Sequence, residues 1–312
     1  MSRSRAGAVV TGAGRGLGML IAAALVQRRH QVLVTDVDEE AACAAAAELG
    51  PDVSWAAVDV RDEVQVAAAR DRIVAEAGRL DVWVNNAGVL VTGPAWEQPP
   101  DVRRLMLEVN ALGTVNGTVA AIEAMRGTGG HIVNVISLAG LTAVPGEAVY
   151  AASKHAAIGF SLSTLADLRL AGIKDIDISC VCPDGIWTPM LHDKLDDPAA
   201  ALSFSGKLLM PEEVVDAVRK VLDRPRPVTA VPGWRGLQAR VADALPRSGC
   251  VPSPGGRAGQ AAAAEDAGEE TVGTTSTVTA HRMVGESGSV VCPSPSVYRP
   301  GSWATSQGAG GS

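Results

Sequence analysis

The stretch Ala8-Val9-Val10-Thr11-Gly12-Ala13-Gly14-Arg15-Gly16-Leu17-Gly18 decides how this chain folds. Its first four residues are apolar or β-branched and read as a short strand. From Leu17 to Arg28 the pattern becomes helical. Glycines fill the turn between the two. Glycine reaches positive φ without steric cost and lets backbone amides come close to a pyrophosphate. The helix that follows would aim its unpaired N–H groups at the same anion. The spacing is G-x-x-x-G-x-G through Gly12, Gly16 and Gly18, since Leu17 and Met19 stand where G-x-G-x-x-G would need glycine. A tight turn for close helix–strand packing would use glycine too. Lying between a first strand and a first helix, however, Gly12, Arg15, Gly16, Leu17 and Gly18 are read as a dinucleotide cradle.

Beyond this turn the pattern repeats. Strand-like runs at Val32–Thr35, Val53–Val58, Val82–Val84, His131–Ile136, Asp177–Val181 and Val228–Val231 are separated by helix-like segments, among them 39–49, 63–77 and 149–170. The strands are continuous apolar runs rather than alternations, as expected of a parallel sheet covered on both faces. This predicts an α/β, Rossmann-like, doubly wound parallel sheet of about seven strands in a single domain, residues 1–248. Leu237, Val241 and Leu245 recur every four residues and suggest a short amphipathic helix over 234–247. Residues 249–312 are rich in Gly, Pro, Ser, Thr and Ala without apolar periodicity, and read as a low-complexity, disordered tail.

Composition excludes several function classes. The 312 residues are 47% hydrophobic, 20% charged and carry a net charge of −7 without a basic block, so no nucleic acid partner is expected. No apolar run approaches the roughly 20 residues of a membrane span, and the N-terminus lacks the apolar core of a signal peptide. A soluble, cytoplasmic protein is expected. The five cysteines are odd in number and scattered, which argues against a disulfide framework. Cys180 and Cys182 read as buried core thiols, with no second ligand pair to make a metal site.

In a doubly wound sheet ligands bind beyond the carboxyl ends of the strands. Asp36 ends the second strand, eighteen residues after Gly18, where a carboxylate accepts from ribose hydroxyls and repels a 2′-phosphate. That favours NAD. Arg15 pulls towards NADP, and a helix-start role remains open for Asp36. Asp59-Val60 follows the third strand, with Asp59 placed either to meet adenine or to cap the next helix. Asn86, Ala87 and Gly88 follow the fourth, as a close-approach loop or a plain turn.

Tyr150 and Lys154 lie four apart at the start of a helix and so share a face. An ammonium near a phenol favours the phenolate and brings tyrosine into the range of acid–base work. The pair stands out because the chain has only five lysines and two tyrosines. Ser137, after the fifth strand, could hold a carbonyl oxygen near the phenol. Asn110 is a poor helix-interior residue inside a helical pattern. It is either tolerated there or holds a water linking Lys154 to solvent.

Together, Thr11–Gly18, Asp59, Asn85–Gly88, Asn110, Ser137 and Tyr150–Lys154 resemble the short-chain dehydrogenase/reductase family in order and spacing, over about residues 6–235. The resemblance implies an oxidoreductase acting on CH–OH groups with NAD(P), a catalytic set of Asn110, Ser137, Tyr150 and Lys154, and a homodimer or homotetramer packed through long helices. It also implies that Tyr150, Lys154, Pro183, Ile186 and Thr188 touch the cofactor. In the family's P-G-x-[V/I]-x-T motif this chain has Asp184 in place of glycine, which would strain or narrow the turn, or attract a positive nicotinamide. The segment 187–210 carries Trp187, Met190, Leu191, Leu195, Phe204, Leu208, Leu209 and Met210. Read as an apolar lid, it suits a hydrophobic secondary alcohol or ketone, with Ser137, Tyr150 and Trp187 on the substrate; ordinary packing is the other reading. The alternatives are an NADPH-dependent carbonyl reductase and a non-catalytic dinucleotide-binding regulatory or scaffold protein.

Overall fold

Alternation along the first strand shows how this chain is layered. Ala8 and Val10 are buried in one apolar cluster and Val9 in another, so successive side chains enter two cores on opposite faces of one sheet. In this computed structural model, residues 6–204 and 208–244 are described. The proposed tail, Leu245, Cys250 and Cys292 lie outside them.

The strands are β1 (Gly7–Thr11), β2 (Gln31–Asp36), β3 (Val53–Ala57), β4 (Leu80–Asn85), β5 (Gly130–Val135), β6 (Ile176–Pro183) and β7 (Val228–Val231). They form one sheet in the order β3-β2-β1-β4-β5-β6-β7, with every pairing parallel. The helices are α1 (Gly16–Gln27), α2 (Glu39–Leu49), α3 (Glu63–Ala77), α4 (Pro100–Leu107), α5 (Gly113–Met125), α6 (Ala148–Leu170), α7 (Pro189–His192), α8 (Pro211–Asp223) and α9 (Gly233–Ala244). Residues on α1, α2 and α8 fill one core with Val34, Val84, Val133 and Val181. Residues on α3, α5 and α6 fill the other with Leu33, Trp83, Ile132 and Ile178. The doubly wound, seven-stranded sheet expected from the sequence is thus the architecture found. The sequence of strands reverses direction between β1 and β4, and the crevice above their carboxyl ends is where ligands bind in such sheets.

Local chemistry sets the helix starts. Asp38 accepts from the Ala41 N–H at the start of α2, and Asp62 accepts from Val64 and Gln65 N–H at the start of α3. Between α4 and α5 the helix widens into a π turn, Glu108–Leu112. The resulting helix, Pro100–Met125, is long and apolar enough to cross a membrane, with a mean hydropathy of 1.3, which corrects the expectation that no segment would pass that test. Half of it is buried, and α5 packs on β4 and α3 as a core helix does. Cys180 and Cys182 are free and fully buried on β6, as expected of core thiols. Cys43 is buried on α2 and is not a free thiol.

Candidate active site

The loops after β1, β2, β4, β5 and β6 surround one cavity of about 1010 Å³. At one end lies the glycine turn. Gly12 and Gly16 take φ of 60° and 59°, the left-handed region that favours glycine. A Cβ on Gly18 would stand 2.3 Å from the Gly12 carbonyl oxygen and 2.5 Å from Asn86 Nδ2. The turn can therefore close only around glycine. The first turn of α1 has no side-chain cap and no acidic residue, so its backbone donors face the cavity unpaired, in the arrangement an anion requires. Asn86 holds the turn in place by donating through Nδ2 to the carbonyls of Thr11 (3.0 Å) and Gly12 (2.9 Å).

Asp36 lines the cavity beside this turn. Its Oδ2 accepts from Gly14 N–H at 3.0 Å and its Oδ1 from Asp38 N–H at 3.1 Å. Asp38, not Asp36, caps α2. Asp59 likewise does not cap α3. Its carboxylate pairs with Arg61 at 2.6 Å, and Arg61 beside it holds the carboxyl below its ordinary pKa. Arg15, Leu17, Val60, Ala87 and Gly88 also line this half of the cavity. These residues fit the adenosine diphosphate part of a dinucleotide: a close-approach glycine turn, an open helix N-terminus and a carboxylate at the end of β2.

At the other end the proposed acid–base group converges. The Ser137 hydroxyl faces the Tyr150 phenol closely enough to lower its pKa by hydrogen bonding, but burial and the charge of Glu147 act the other way, and the balance raises it above the usual tyrosine value. Lys154 Nζ lies 5.5 Å from the centre of the Tyr150 ring. The lysine is 5% exposed, and burial lowers its pKa to about 8. No carboxylate pairs with it among the described residues. A Cβ on Gly88 would be 3.4 Å from Lys154 Nζ and 3.3 Å from Asn110 Oδ1, so glycine at this position leaves room for both.

The π turn explains Asn110. An extra residue in the helix brings the Asn110 side chain against the loop after β4. Its Oδ1 accepts from Val89 N–H at 2.8 Å, and its Nδ2 donates to the Val89 carbonyl at 2.9 Å and to Ser153 Oγ at 3.0 Å. Ser153 in turn donates to the Tyr150 carbonyl at 2.6 Å. The amide expected to hold a water is thus engaged by protein. Asn110 ties the Gly88 loop to the helix bearing Tyr150 and Lys154, and does not itself line the cavity. Its polar character in a helical pattern was the readable signal; the π turn was not.

Residues 6–199 match the family model of the short chain dehydrogenases. The chain belongs to the short-chain dehydrogenase family. Among its relatives, SadH of Mycobacterium tuberculosis is 32% identical over 252 residues, covering 77% of this chain and 89% of that protein. Cyclopentanol dehydrogenase of Comamonas sp. is 36% identical over 219 residues, covering 67% and 86%. A solved short-chain dehydrogenase/reductase from Burkholderia phymatum, in complex with NAD, aligns with a TM-score of 0.71 and 26% identity over 81% of this chain and 98% of that one.

The short-chain dehydrogenase motif after β6 is altered here, and the fold accommodates it. Pro183, Ile186 and Thr188 line the cavity. Asp184 stands in the position usually held by glycine without entering positive φ, so the turn is not strained. Its carboxylate accepts from Arg235 Nε on α9 at 2.6 Å, with side chains only 15% and 19% exposed. A single pass along the sequence offered no link between residues 51 apart.

The lid behaves differently from the sequence expectation. Trp187 does not line the cavity. It meets His192 edge-on, with ring centres 4.1 Å apart and planes inclined at 62°, and packs with Leu191, Leu195, Phe204 and Leu208 into a small core of the lid itself. Leu209 is buried in the main core. Of the lid's large apolar residues, Met190 and Leu191 reach the cavity. The apolar wall comes instead from Leu90, Leu105, Val109, Leu138 and Val144. Sequence reasoning also missed Glu147, which is 2% exposed and lines the cavity three residues before Tyr150. Burial pushes its pKa up to about 7, with Asp197 and Asp184 adding repulsion and a hydrogen bond from Ser203 opposing.

Proposed function

We propose that this short-chain dehydrogenase interconverts a secondary alcohol and a ketone with NAD. The observation that carries the reading is the convergence of Ser137, Tyr150 and Lys154 in the cavity that also holds the uncapped α1 N-terminus and Asp36. When bound, NAD+ supplies the hydride acceptor. The glycine turn and the α1 N–H groups bind its pyrophosphate, and Asp36 accepts from its adenosine ribose. Lys154, with no carboxylate partner among the described residues, would donate to the hydroxyls of the other ribose. Ser137 holds the substrate oxygen beside Tyr150. The phenolate form of Tyr150 takes the hydroxyl proton as the carbon loses hydride, and the phenol form returns a proton in the reverse direction. Ile186 and Thr188, which line the cavity, would border its nicotinamide end.

A dehydrogenase reading is supported by the relative named for cyclopentanol, and the NAD preference by the NAD-bound Burkholderia protein. Asp36 would sit against a 2′-phosphate and repel it. An apolar wall favours a hydrophobic substrate body. Assembly into a homo-oligomer is supported by exposed Leu107, Leu112, Val119 and Leu162 on the long helices.

The test is the absorbance of reduced nicotinamide during incubation with secondary alcohols and either NAD+ or NADP+. Turnover with NAD+ is expected, and Tyr150→Phe should lower kcat by about 10²–10⁴-fold while leaving dinucleotide binding measurable. Near-normal turnover in Tyr150→Phe overturns the mechanism. A preference for NADP+ overturns the role given to Asp36 and favours the reductase reading through Arg15.

A further inference from the structure

The substrate half of the cavity contains a carboxyl that the proton-transfer chemistry does not use. Glu147 precedes α6, is almost wholly buried, and still lines the cavity. One oxygen, Oε1, accepts a hydrogen bond from Ser203 Oγ on the lid. The other, Oε2, has no donor among the described residues, yet it is not among the buried polar atoms sealed away without a partner. It therefore opens into the cavity. Among the described residues no cation acts on it: Arg235 is held by Asp184 and by Gln238 Oε1 at 3.0 Å, and Lys154 lies against Tyr150 and Gly88. The neighbouring charges that act on it, Asp197 and Asp184, are of the same sign.

A carboxylate oxygen that faces a cavity takes its hydrogen bond from whatever donor enters there, and a bond to an ionised acceptor is stronger than a neutral one. We propose that Glu147 forms a second polar subsite that recognises a hydrogen-bond donor, a hydroxyl or amine, carried by the substrate away from the reacting carbinol. This rests on the alcohol–ketone reading and deepens it: the substrate class becomes an amphipathic alcohol with an apolar body and a second donor. The apolar wall of Leu90, Leu105, Val109, Leu138 and Val144 takes the body. Glu147, close enough to Tyr150 for its charge to act on the phenol, takes the second group.

A purely structural latch between the lid and α6 is the competing role, because Ser203 belongs to the 3-10 segment Pro198–Phe204. The two roles differ in what Oε2 does. A latch needs only the bond at Oε1. A subsite needs the open oxygen.

The experiment measures kcat/KM with NAD+ for cyclohexanol, the cyclohexanediols and the aminocyclohexanols, in the full-length wild type, Glu147→Leu and Ser203→Ala. In the wild type at least one diol or amino alcohol should exceed cyclohexanol by about 10- to 100-fold, the range of a hydrogen bond to a charged group. Which arm responds distinguishes hydroxyl from amine. In Glu147→Leu the ratio should collapse to about one, and in Ser203→Ala it should persist. Equal use of mono- and bifunctional alcohols by the wild type overturns the subsite and leaves the dehydrogenase reading standing. A preference that survives Glu147→Leu, or that Ser203→Ala abolishes, overturns it as well. If no probe is oxidised, the dehydrogenase reading fails and the subsite with it. Should Glu147→Leu not fold, the wild-type ratio together with Ser203→Ala decides.

Discussion

Replacing Glu147 by Gln should stabilise the cofactor-free protein at alkaline pH and do much less at acid pH. The carboxyl titrates near 4.5 in an open chain and at about 7 in the fold, chiefly because burial disfavours the charged form. A raised acid pKa means that the folded state binds more protons than the unfolded state between those two values. Stability therefore falls as pH rises through that window, and the loss is complete above about 7. At about 1.4 kcal/mol per pH unit the full penalty is about 3 kcal/mol at pH 8, and at pH 5 it is about 1 kcal/mol. Water entering the cavity makes these upper bounds. Gln is close in shape to the protonated acid and can still accept from Ser203, so the variant removes the penalty without removing the bond.

For a domain of this size about 3 kcal/mol corresponds to a rise in Tm of roughly 6–12 °C. Urea melts of wild type and Glu147→Gln at pH 5, 6, 7 and 8 would measure it, with near-UV signals checking that unfolding is two-state. The wild type should lose about 2 kcal/mol relative to the variant between the lowest and highest pH. A stability difference that is flat across this range would falsify the argument, since it would place the carboxyl in contact with bulk water rather than in a shielded cavity.

Other perturbations read other parts of the molecule. Gly18→Ala places a Cβ 2.3 Å from the Gly12 carbonyl, and should weaken dinucleotide affinity at least tenfold by fluorescence titration, about 1.4 kcal/mol or more; unchanged affinity would mean the turn is soft. A double-mutant cycle of Asp184→Asn and Arg235→Leu should give a coupling of about 1–3 kcal/mol in denaturant melts, because the pair is largely shielded; additive effects would show the contact to be idle. Ultraviolet difference titration of wild type against Tyr150→Phe should show Tyr150 un-ionised up to about pH 10 in the cofactor-free protein, since burial and Glu147 both raise its pKa. Ionisation of that residue below about pH 9 would contradict the charge balance.

What the sequence disclosed and what it concealed follow a physical division. β1, α1 and the glycine turn were legible because each depends on local chemistry: apolar runs, positive φ, an open helix start. Tyr150 and Lys154 were legible because helical spacing alone puts them on one face. Asp59 was left between two roles because capping depends on which of several acidic residues meets the helix axis, and Asp62 does so. Trp187 was misplaced because apolar character does not say which way a side chain turns in a segment with little regular structure; here it turns into the lid's own core. Asp184 and Arg235, and Glu147 and Ser203, are partnerships between distant residues that only the fold creates. The departure at Asp184 looked like a defect until the arginine on α9 was placed beside it.

Burial alone pushes the Tyr150 phenol and the Lys154 ammonium towards their neutral forms. Without a bound cofactor this favours the phenol form of Tyr150, while Lys154 keeps its proton near neutral pH. A positive charge arriving in the cavity lowers the tyrosine pKa, and ribose hydroxyls accepting from Lys154 keep its proton in place. An oxidised, positive nicotinamide beside it would favour the phenolate, which accepts a proton from an alcohol. The reduced, neutral form would leave it a phenol, which donates one to a ketone. Glu147 works against the first state and with the second, because its negative charge raises the phenol pKa. A protonated amine on the substrate would offset that influence at the moment of binding, whereas a neutral hydroxyl would hold the carboxylate in its charged form. For an amino alcohol the carboxyl that selects the substrate would then also release Tyr150 to act on it, so that recognition and acid–base readiness are set by one contact.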